Sequence, residues 1–136
     1  GALIANRVEG GKRPRSSMSP TIVLDSEGRL VAALGSPGGS RIIGYVAKSL
    51  MAVLDWQLSM KDAVSLPHHI NRNGITDLEQ DTPITALESE LQALGHETRV
   101  RAMTSGLHGI MLREGRLEGG ADPRREGVVL EGVARF

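Results

Sequence analysis

The sequence of 136 residues contains no cysteine and only one tryptophan, one tyrosine and one phenylalanine. The absence of cysteine excludes a disulfide framework, a thiolate zinc site and a cysteine nucleophile. Three aromatic side chains are too few to build a platform on which nucleic-acid bases stack. These absences remove thiol chemistry and base-stacking recognition from the candidate functions.

An excess of either charge is also missing, because 16 lysines and arginines balance 16 aspartates and glutamates. Without a basic excess there is little to release counterions from a phosphate backbone, so we expect no nucleic-acid partner. No apolar stretch approaches the ~20 residues of a membrane-spanning helix, and the start of the chain lacks the layout of a signal peptide. Any export signal would therefore lie upstream of these residues.

The pattern along the chain predicts one domain, or a piece of one. Residues 1–19 are rich in glycine, arginine, proline and serine and predict an irregular lead-in segment. Two apolar runs at residues 21–24 and 30–34, joined by a turn that contains Gly28, predict a hairpin. Neither run alternates cleanly between apolar and polar residues, which predicts that both faces are covered.

The rest of the chain predicts helices and more strands. A helical period predicts one apolar face, made of Ile43, Val46, Ala47, Leu50, Val53 and Leu54. Ser59 is a candidate N-cap for a short helix that ends before Pro67, residues 68–81 are polar and turn-rich, and a helix is predicted to begin at Pro83. Residues 97–102 predict a strand and residues 107–119 a second hairpin. The fold class is therefore α+β, with mostly antiparallel strands covered by helices.

The glycine-rich turn over residues 35–40 is the most informative segment. It joins a predicted strand to a predicted helix, and the first turn of a helix has backbone N–H groups without internal partners. Glycine allows these groups to approach a ligand closely, and the helix dipole adds positive potential at the same end. The turn therefore suits an anion or a developing oxyanion, and an ordinary strand-to-helix turn is the alternative.

Three further groups of polar residues are weaker candidates. Ser16 and Ser17 could together donate hydrogen bonds to one carboxylate, although adjacent serines are also common in loops. The adjacent His68 and His69 have no recognised ligand spacing to the other histidines, so we expect no metal and no cofactor. The segment from Asp122 to Arg124 could form a buried ion pair or a turn, and we expect a structural role.

Three motifs give the chain a close resemblance to the gamma-glutamyltransferase family, also called gamma-glutamyltranspeptidase. They are GKRPRSSMSPTIV over residues 11–23, GSPGGSRII over residues 35–43 and GADPR over residues 120–124. The resemblance covers essentially the whole chain. It implies the four-layer αββα sandwich of the N-terminal-nucleophile hydrolases, in which a precursor cleaves itself into a large and a small subunit.

The resemblance also implies the chemistry. A threonine at the start of the small subunit attacks a gamma-glutamyl amide such as glutathione, with its own α-amino group as the base, and the glutamyl group passes to water or to an amino acid or peptide. Ser16 and Ser17 match the serine pair that holds the substrate α-carboxylate. Gly38 and Gly39 match the glycine pair whose N–H groups form the oxyanion hole. Family members are commonly periplasmic, extracellular or membrane-tethered.

One departure from the family pattern is that the chain begins at Gly1 and none of its threonines is terminal. We therefore expect residues 1–136 to be the C-terminal portion of the small subunit and the isolated chain to be inactive. Its expected partners are gamma-glutamyl substrates, the upstream part of the small subunit and the large subunit. An acylase of glutaryl or poly-gamma-glutamyl amides, and a non-catalytic interaction module that self-associates, remain alternatives.

Overall fold

The computed structural model describes residues 4 and 6–130, and it confirms the α+β class. The elements in chain order are β1 (Thr21–Leu24), β2 (Leu30–Gly35), α1 (Ile42–Leu54), α2 (Met60–Ser65), β3 (His69–Asn71), β4 (Thr76–Glu79), α3 (Glu88–Ala93), β5 (Thr98–Arg101), β6 (His108–Arg113) and β7 (Arg116–Ala121). Short 3₁₀ turns precede α1 and α3. Residues 6–20 form neither helix nor strand, and their separation as a lead-in segment remains a prediction.

The strands form two sheets. The first is antiparallel throughout, with strand order β1-β2-β6-β7, and it includes both predicted hairpins. The second has the order β3-β4-β5, in which β3 and β4 are antiparallel whereas β4 and β5 run parallel. The strands are therefore mostly antiparallel, as predicted.

The predicted turn-rich segment over residues 68–81 does turn at Asn73 and Gly74, but it also contains two strands, β3 and β4, that the sequence does not predict. All four residues of β4 are buried, including Asp77 and Glu79. Arginine side chains pair with both carboxylates, and burial of a charge is tolerated when it is paired and hydrogen-bonded. Strand β4 therefore belongs to the core although its sequence is polar.

Helix α1 spans the predicted residues, but its buried face differs from the predicted one. Ile43, Ala47 and Leu54 are exposed, whereas Tyr45 and Ser49 are buried with Val46 and Val53. Ser49 can be buried because its hydroxyl donates to the Tyr45 carbonyl at 3.1 Å. Local hydrogen bonds therefore let polar residues replace apolar ones on the inner face.

Capping residues fix the ends of the shorter helices. The Ser59 hydroxyl accepts the Asp62 N–H at 3.0 Å and begins α2, which confirms the predicted N-cap. The helix predicted from Pro83 is instead a 3₁₀ turn over residues 83–87 that continues into α3. No helix among the described residues is both long and apolar enough to cross a membrane.

The four-stranded sheet is covered on one face and largely open on the other. Helices α1 and α2 pack on the inner face, where Ala32, Leu34 and Met111 join the core. On the outer face, large apolar side chains of β1, β6 and β7 are exposed: Ile22, Leu24, Ile110, Leu112 and Leu117. The prediction that both faces are covered is therefore wrong for the part of the chain that the structure describes.

Helix α2 lies so close to β7 that only glycine fits at Gly120. An added β-carbon at this residue would lie 2.6 Å from the Met60 carbonyl oxygen. Nearby, the Met60 N–H donates to Glu118 Oε1 at 2.6 Å, which holds the start of α2 against the strand. The backbone contact therefore sets the distance between α2 and the sheet.

We expect Gly120→Ala to lower the free energy of unfolding by about 1–3 kcal/mol, because overpacking forces the backbone of α2 to shift. Urea denaturation of the variant and the unmodified chain measures this loss. Gly74→Ala is the matched control, because an added β-carbon at Gly74 meets nothing within 4 Å. Equal stability of the two variants would contradict the proposed contact.

Candidate functional site

The glycine-rich turn joins β2 to α1, as the sequence predicts. Gly38 and Gly39 have φ angles of 140° and 58°, which side-chain-bearing residues rarely adopt. An added β-carbon at Gly38 would lie 2.7 Å from Tyr45 Cε2, whereas Gly39 has open space around it. Both backbone angle and packing therefore require glycine at residue 38.

The backbone N–H groups of these two glycines are available to a ligand. Neither donates a hydrogen bond to any other residue in the described part of the chain. Gly38 is half-buried and Gly39 is exposed. Two adjacent, unengaged amides of this kind are the donors that an oxyanion hole requires.

The serine pair lies in the extended segment before β1. Ser16 is exposed and Ser17 is half-buried. Ser16 Oγ accepts the Met18 N–H at 3.1 Å, and the Ser17 carbonyl accepts the Ser19 hydroxyl at 3.2 Å. Among the residues that the structure describes, the Ser16 hydroxyl donates to no other group, so its proton can serve a ligand.

The two motifs leave the first sheet at the same end. Strand β1 pairs antiparallel with β2, with Thr21 opposite Leu34, so the residues before Thr21 and those after Leu34 extend in one direction. An added β-carbon at Gly35 would lie 3.9 Å from the Pro20 Cα. No hydrogen bond joins the serines to Gly38 or Gly39 among the described residues, so their joint action on a substrate remains a prediction.

A polar pocket of about 140 Å³ borders the glycine turn. Arg41, Arg101 and Arg125 line it beside Gly38. No carboxylate is among its lining residues, and the Asp77 carboxylate contacts Arg41 at 2.7 Å and Arg101 at 4.0 Å. The pocket therefore has more positive than negative charge, which favours an anionic ligand next to the glycine amides.

A family model described as gamma-glutamyltranspeptidase matches residues 2–132. The chain belongs to the gamma-glutamyltranspeptidase family. Its fold is accordingly part of the N-terminal-nucleophile hydrolase sandwich that the resemblance implies, which the similarity to solved structures also supports.

Relatives in this family include enzymes with more than one name. The chain is 36% identical over 123 residues to the glutathione hydrolase proenzyme of Escherichia coli, which aligns with 88% of this chain and 21% of that protein. It is 33% identical over 130 residues to the Acylase ACY 1 proenzyme of Pseudomonas sp. strain SE83, with 92% of this chain and 23% of that protein aligned. The chain thus spans less than a quarter of the length of these two relatives.

Solved structures of the family superpose closely on this chain. The gamma-glutamyltranspeptidase from Pseudomonas nitroreducens complexed with L-DON gives a TM-score of 0.83 at 31% identity, over 97% of this chain and 70% of that chain. The two structures share their arrangement of helices and strands over nearly the whole chain, so the described residues adopt the family fold.

The third gamma-glutamyltranspeptidase motif forms a buried ion-pair cluster. The Asp122 carboxylate is fully buried and accepts the Leu107 N–H at 3.0 Å, the Arg124 N–H at 2.9 Å and Arg124 Nη1 at 3.0 Å. Arg124 Nη2 also donates to Glu79 Oε2 at 2.7 Å. Burial alone would raise the pKa of Asp122, but these hydrogen bonds and the Ser105 hydroxyl hold it below its ordinary value.

A buried chain of side chains runs from α1 to this cluster. Lys48 Nζ lies 2.7 Å from His68 Nδ1, and His68 Nε2 lies 2.7 Å from Ser105 Oγ, which donates to Asp122. Since the Ser105 proton goes to Asp122, Ser105 Oγ accepts from His68 Nε2, and Nδ1 is left to accept from Lys48. The chain is therefore a structural network rather than a nucleophile with its base.

Burial shifts both basic groups of this network. It lowers the pKa of His68 to about 3, with help from the nearby Lys48 charge. It also lowers the pKa of Lys48 to about 7, with a contribution from the Arg124 charge. His68 is therefore neutral throughout the physiological range.

Sequence analysis missed the buried partners in these networks, among them Lys48, Asp77, Glu79 and Ser105. Each is a common surface residue, and the hydrogen-bond partners of the last three side chains are 11 to 45 residues distant in the sequence. One signal for strand β4 was present in the sequence: Asp77 and Glu79 alternate with Thr76 and Leu78. Within the described range, neither His68 nor His69 belongs to a group of three or more side chains that could hold a metal ion.

We expect the free energy of unfolding to fall as pH drops below about 6.5. In this range His68 binds a proton in the unfolded chain, whereas in the folded chain its pKa is about 3 and it stays neutral. The loss reaches about 2 kcal/mol at pH 5, since each pH unit is worth about 1.4 kcal/mol per proton. Urea denaturation at pH 7, 6 and 5 measures it. His68→Gln makes the dependence shallower and leaves the part due to His69, whose pKa burial also lowers, whereas His96→Gln, at an exposed position, preserves it. Parallel curves for His68→Gln and the unmodified chain would refute the assignment.

Proposed function

We propose that the protein to which this chain belongs cleaves gamma-glutamyl amides such as glutathione and transfers the glutamyl group to water or to an amino acid or peptide. In this proposal Gly38 and Gly39 are the oxyanion donors, and Ser16 and Ser17 hold the substrate carboxylate. The observation that carries it is the pair of unengaged glycine amides at the same sheet end as the serine pair.

The nucleophile in this reaction is a threonine hydroxyl supplied by the upstream part of the protein. It attacks the carbonyl carbon of the gamma-amide, and the amine leaves with a proton while an acyl-enzyme forms. Negative charge develops on the carbonyl oxygen, where the Gly38 and Gly39 N–H groups donate to it. One such donor is worth about 2.7–4 kcal/mol of transition-state stabilisation. The arginine-lined pocket beside Gly38 adds positive potential.

The serine pair contributes to binding rather than to the chemical step. A carboxylate accepts hydrogen bonds on both oxygens, and two neighbouring hydroxyls can serve one carboxylate. The free proton of the Ser16 hydroxyl supports this role, because its oxygen already accepts the Met18 N–H. A substrate with a carboxylate near the reacting amide therefore suits this site.

An acylase of glutaryl or poly-gamma-glutamyl amides is the second candidate. The 33% identity to the Acylase ACY 1 proenzyme supports it. A glutaryl group has the same chain length as a gamma-glutamyl group and the same distal carboxylate, but it lacks the α-amino group. The serine pair therefore fits either substrate, and the 36% identity to the glutathione hydrolase proenzyme favours the gamma-glutamyl group.

The open sheet face points to the partners of this chain. Exposed apolar side chains on β1, β6 and β7 form a surface that soluble proteins normally cover. We propose that the upstream part of the small subunit and the large subunit cover it, and that the isolated chain otherwise self-associates through it. By family resemblance the whole protein acts in the periplasm or outside the cell.

Release of p-nitroaniline from gamma-glutamyl and glutaryl anilides by the full-length, matured protein tests the proposal. We expect the gamma-glutamyl anilide to be cleaved with the higher kcat/KM, and the isolated 136-residue chain to release nothing. Replacing Ser16 and Ser17 by alanine should raise KM at least about tenfold, since a hydrogen bond to a charged group is worth about 1.5–3 kcal/mol.

Ser26→Ala, in the exposed turn between β1 and β2, is the matched control and should leave KM unchanged. A preference for the glutaryl anilide would support the acylase instead. Product release by the isolated chain above a blank would show that its own residues include a nucleophile and would refute the assigned roles.

A further inference from the structure

The directions of the two glycine amides are set by what their neighbouring carbonyls accept. The Pro37 carbonyl accepts the Ser36 hydroxyl at 2.7 Å, and the Gly38 carbonyl accepts the Arg41 N–H at 3.2 Å. In a trans peptide the C=O and the following N–H point in opposite directions. The bond to the Pro37 carbonyl therefore points the Gly38 N–H away from Ser36. The bond to the Gly38 carbonyl likewise points the Gly39 N–H away from Arg41.

We infer that Ser36 and Asp77 are positioning residues that fix these two peptide planes. The inference rests on the proposed function, because it assigns the amides to the oxyanion. Ser36 acts on the Gly38 amide through the Pro37 carbonyl. Asp77 acts on the Gly39 amide through Arg41.

Ser36 is itself held in place from a distant part of the chain. Its hydroxyl oxygen accepts the Gly106 N–H at 3.2 Å, which ties the turn to the segment before β6. At Gly106 an added β-carbon would lie 2.6 Å from Pro37 Cγ, so the two segments are in close contact. The bond from Gly106 and this close contact therefore hold the Ser36 hydroxyl beside the Pro37 carbonyl.

Asp77 holds the other side of the turn from β4. Its buried carboxylate accepts Arg41 Nη2 at 2.7 Å through Oδ2, while Oδ1 accepts Arg99 Nε at 2.8 Å. Arg41 is the last residue of the 3₁₀ turn that begins at Gly39. Burial alone would raise the pKa of Asp77, but the bonds from Arg41 and Arg99 outweigh it and keep the carboxylate charged.

A positioning role of this kind affects the chemical step more than binding. The oxyanion exists only in the transition state, so misaligned amides lower kcat while ground-state binding is preserved. A residue that only stabilised the fold would change the amount of active enzyme and its melting temperature. The separation of kcat from KM therefore distinguishes the two roles.

The test is steady-state kinetics of the full-length, matured protein with gamma-glutamyl p-nitroanilide, with active sites titrated. We expect Ser36→Ala and Asp77→Asn each to lower kcat about tenfold, less than the loss of one whole oxyanion donor, and to leave KM within about twofold. Ser36→Thr and Asp77→Glu retain the hydroxyl and the carboxylate and should recover most of kcat.

Two matched controls change the same neighbourhood without touching either carbonyl bond. Ser40→Ala removes the other hydroxyl of the turn, which accepts Arg72, and Asp81→Asn removes an exposed carboxylate just after β4, which accepts the Gln80 amide. Both should keep kcat near that of the unmodified protein. If Asp77→Asn does not fold, Ser36→Ala and the Asp77→Glu variant still decide the matter, with melting temperatures measured for all variants.

The outcomes separate the two levels of the argument. If the unmodified protein releases no p-nitroaniline, the proposed function fails and the inference fails with it. If the unmodified protein is active but Ser36→Ala behaves like Ser40→Ala, or its loss is entirely in KM, the positioning role is overturned while the proposed function stands.

Discussion

The Arg124 guanidinium joins the two sheets and helix α2. It donates to Glu79 Oε2 on β4 at 2.7 Å and to Asp122 Oδ1 after β7 at 3.0 Å, so one side chain links the two sheets. It also donates to the Val64 and Leu66 carbonyls at the end of α2. Because removing one partner from a buried ion pair leaves an uncompensated charge, typically at about 3–5 kcal/mol, these parts are strongly coupled.

The candidate site depends on this junction through two routes. Strand β4 holds Glu79 for Arg124 and, two residues earlier, Asp77 for Arg41 at the start of the glycine turn. The segment before β6 contains Ser105, which binds Asp122, and Gly106, which binds Ser36. The same two segments therefore anchor both the ion-pair cluster and the glycine turn.

Much of the local structure follows from short-range patterns in the sequence. The β1–β2 and β6–β7 hairpins, the Ser59 cap and the span of α1 all depend on residues within a few positions of each other, and all agree with the structure. The glycine turn was likewise identifiable, since the positive φ angles of Gly38 and Gly39 demand the residue type found there.

Ion pairs and hydrogen bonds between distant segments could not be predicted from the sequence. Strand β4 is polar in sequence but buried, because its carboxylates meet Arg41, Arg99 and Arg124 from distant segments. The inner face of α1 was misjudged for a similar reason, as Lys48 finds the Leu66 and Pro67 carbonyls inside. Apolar periodicity cannot show such partners. The open outer sheet face among the described residues was likewise not evident from the apolar pattern.

A crystal structure of the full-length, matured protein, acylated by a gamma-glutamyl substrate analogue, tests the central claim most directly. The account predicts the Gly38 and Gly39 nitrogens at about 2.7–3.1 Å from the acyl oxygen, with the Ser16 and Ser17 hydroxyls hydrogen-bonded to the α-carboxylate. An acyl oxygen bound by other donors, with the two glycine amides facing away from it, would contradict the account.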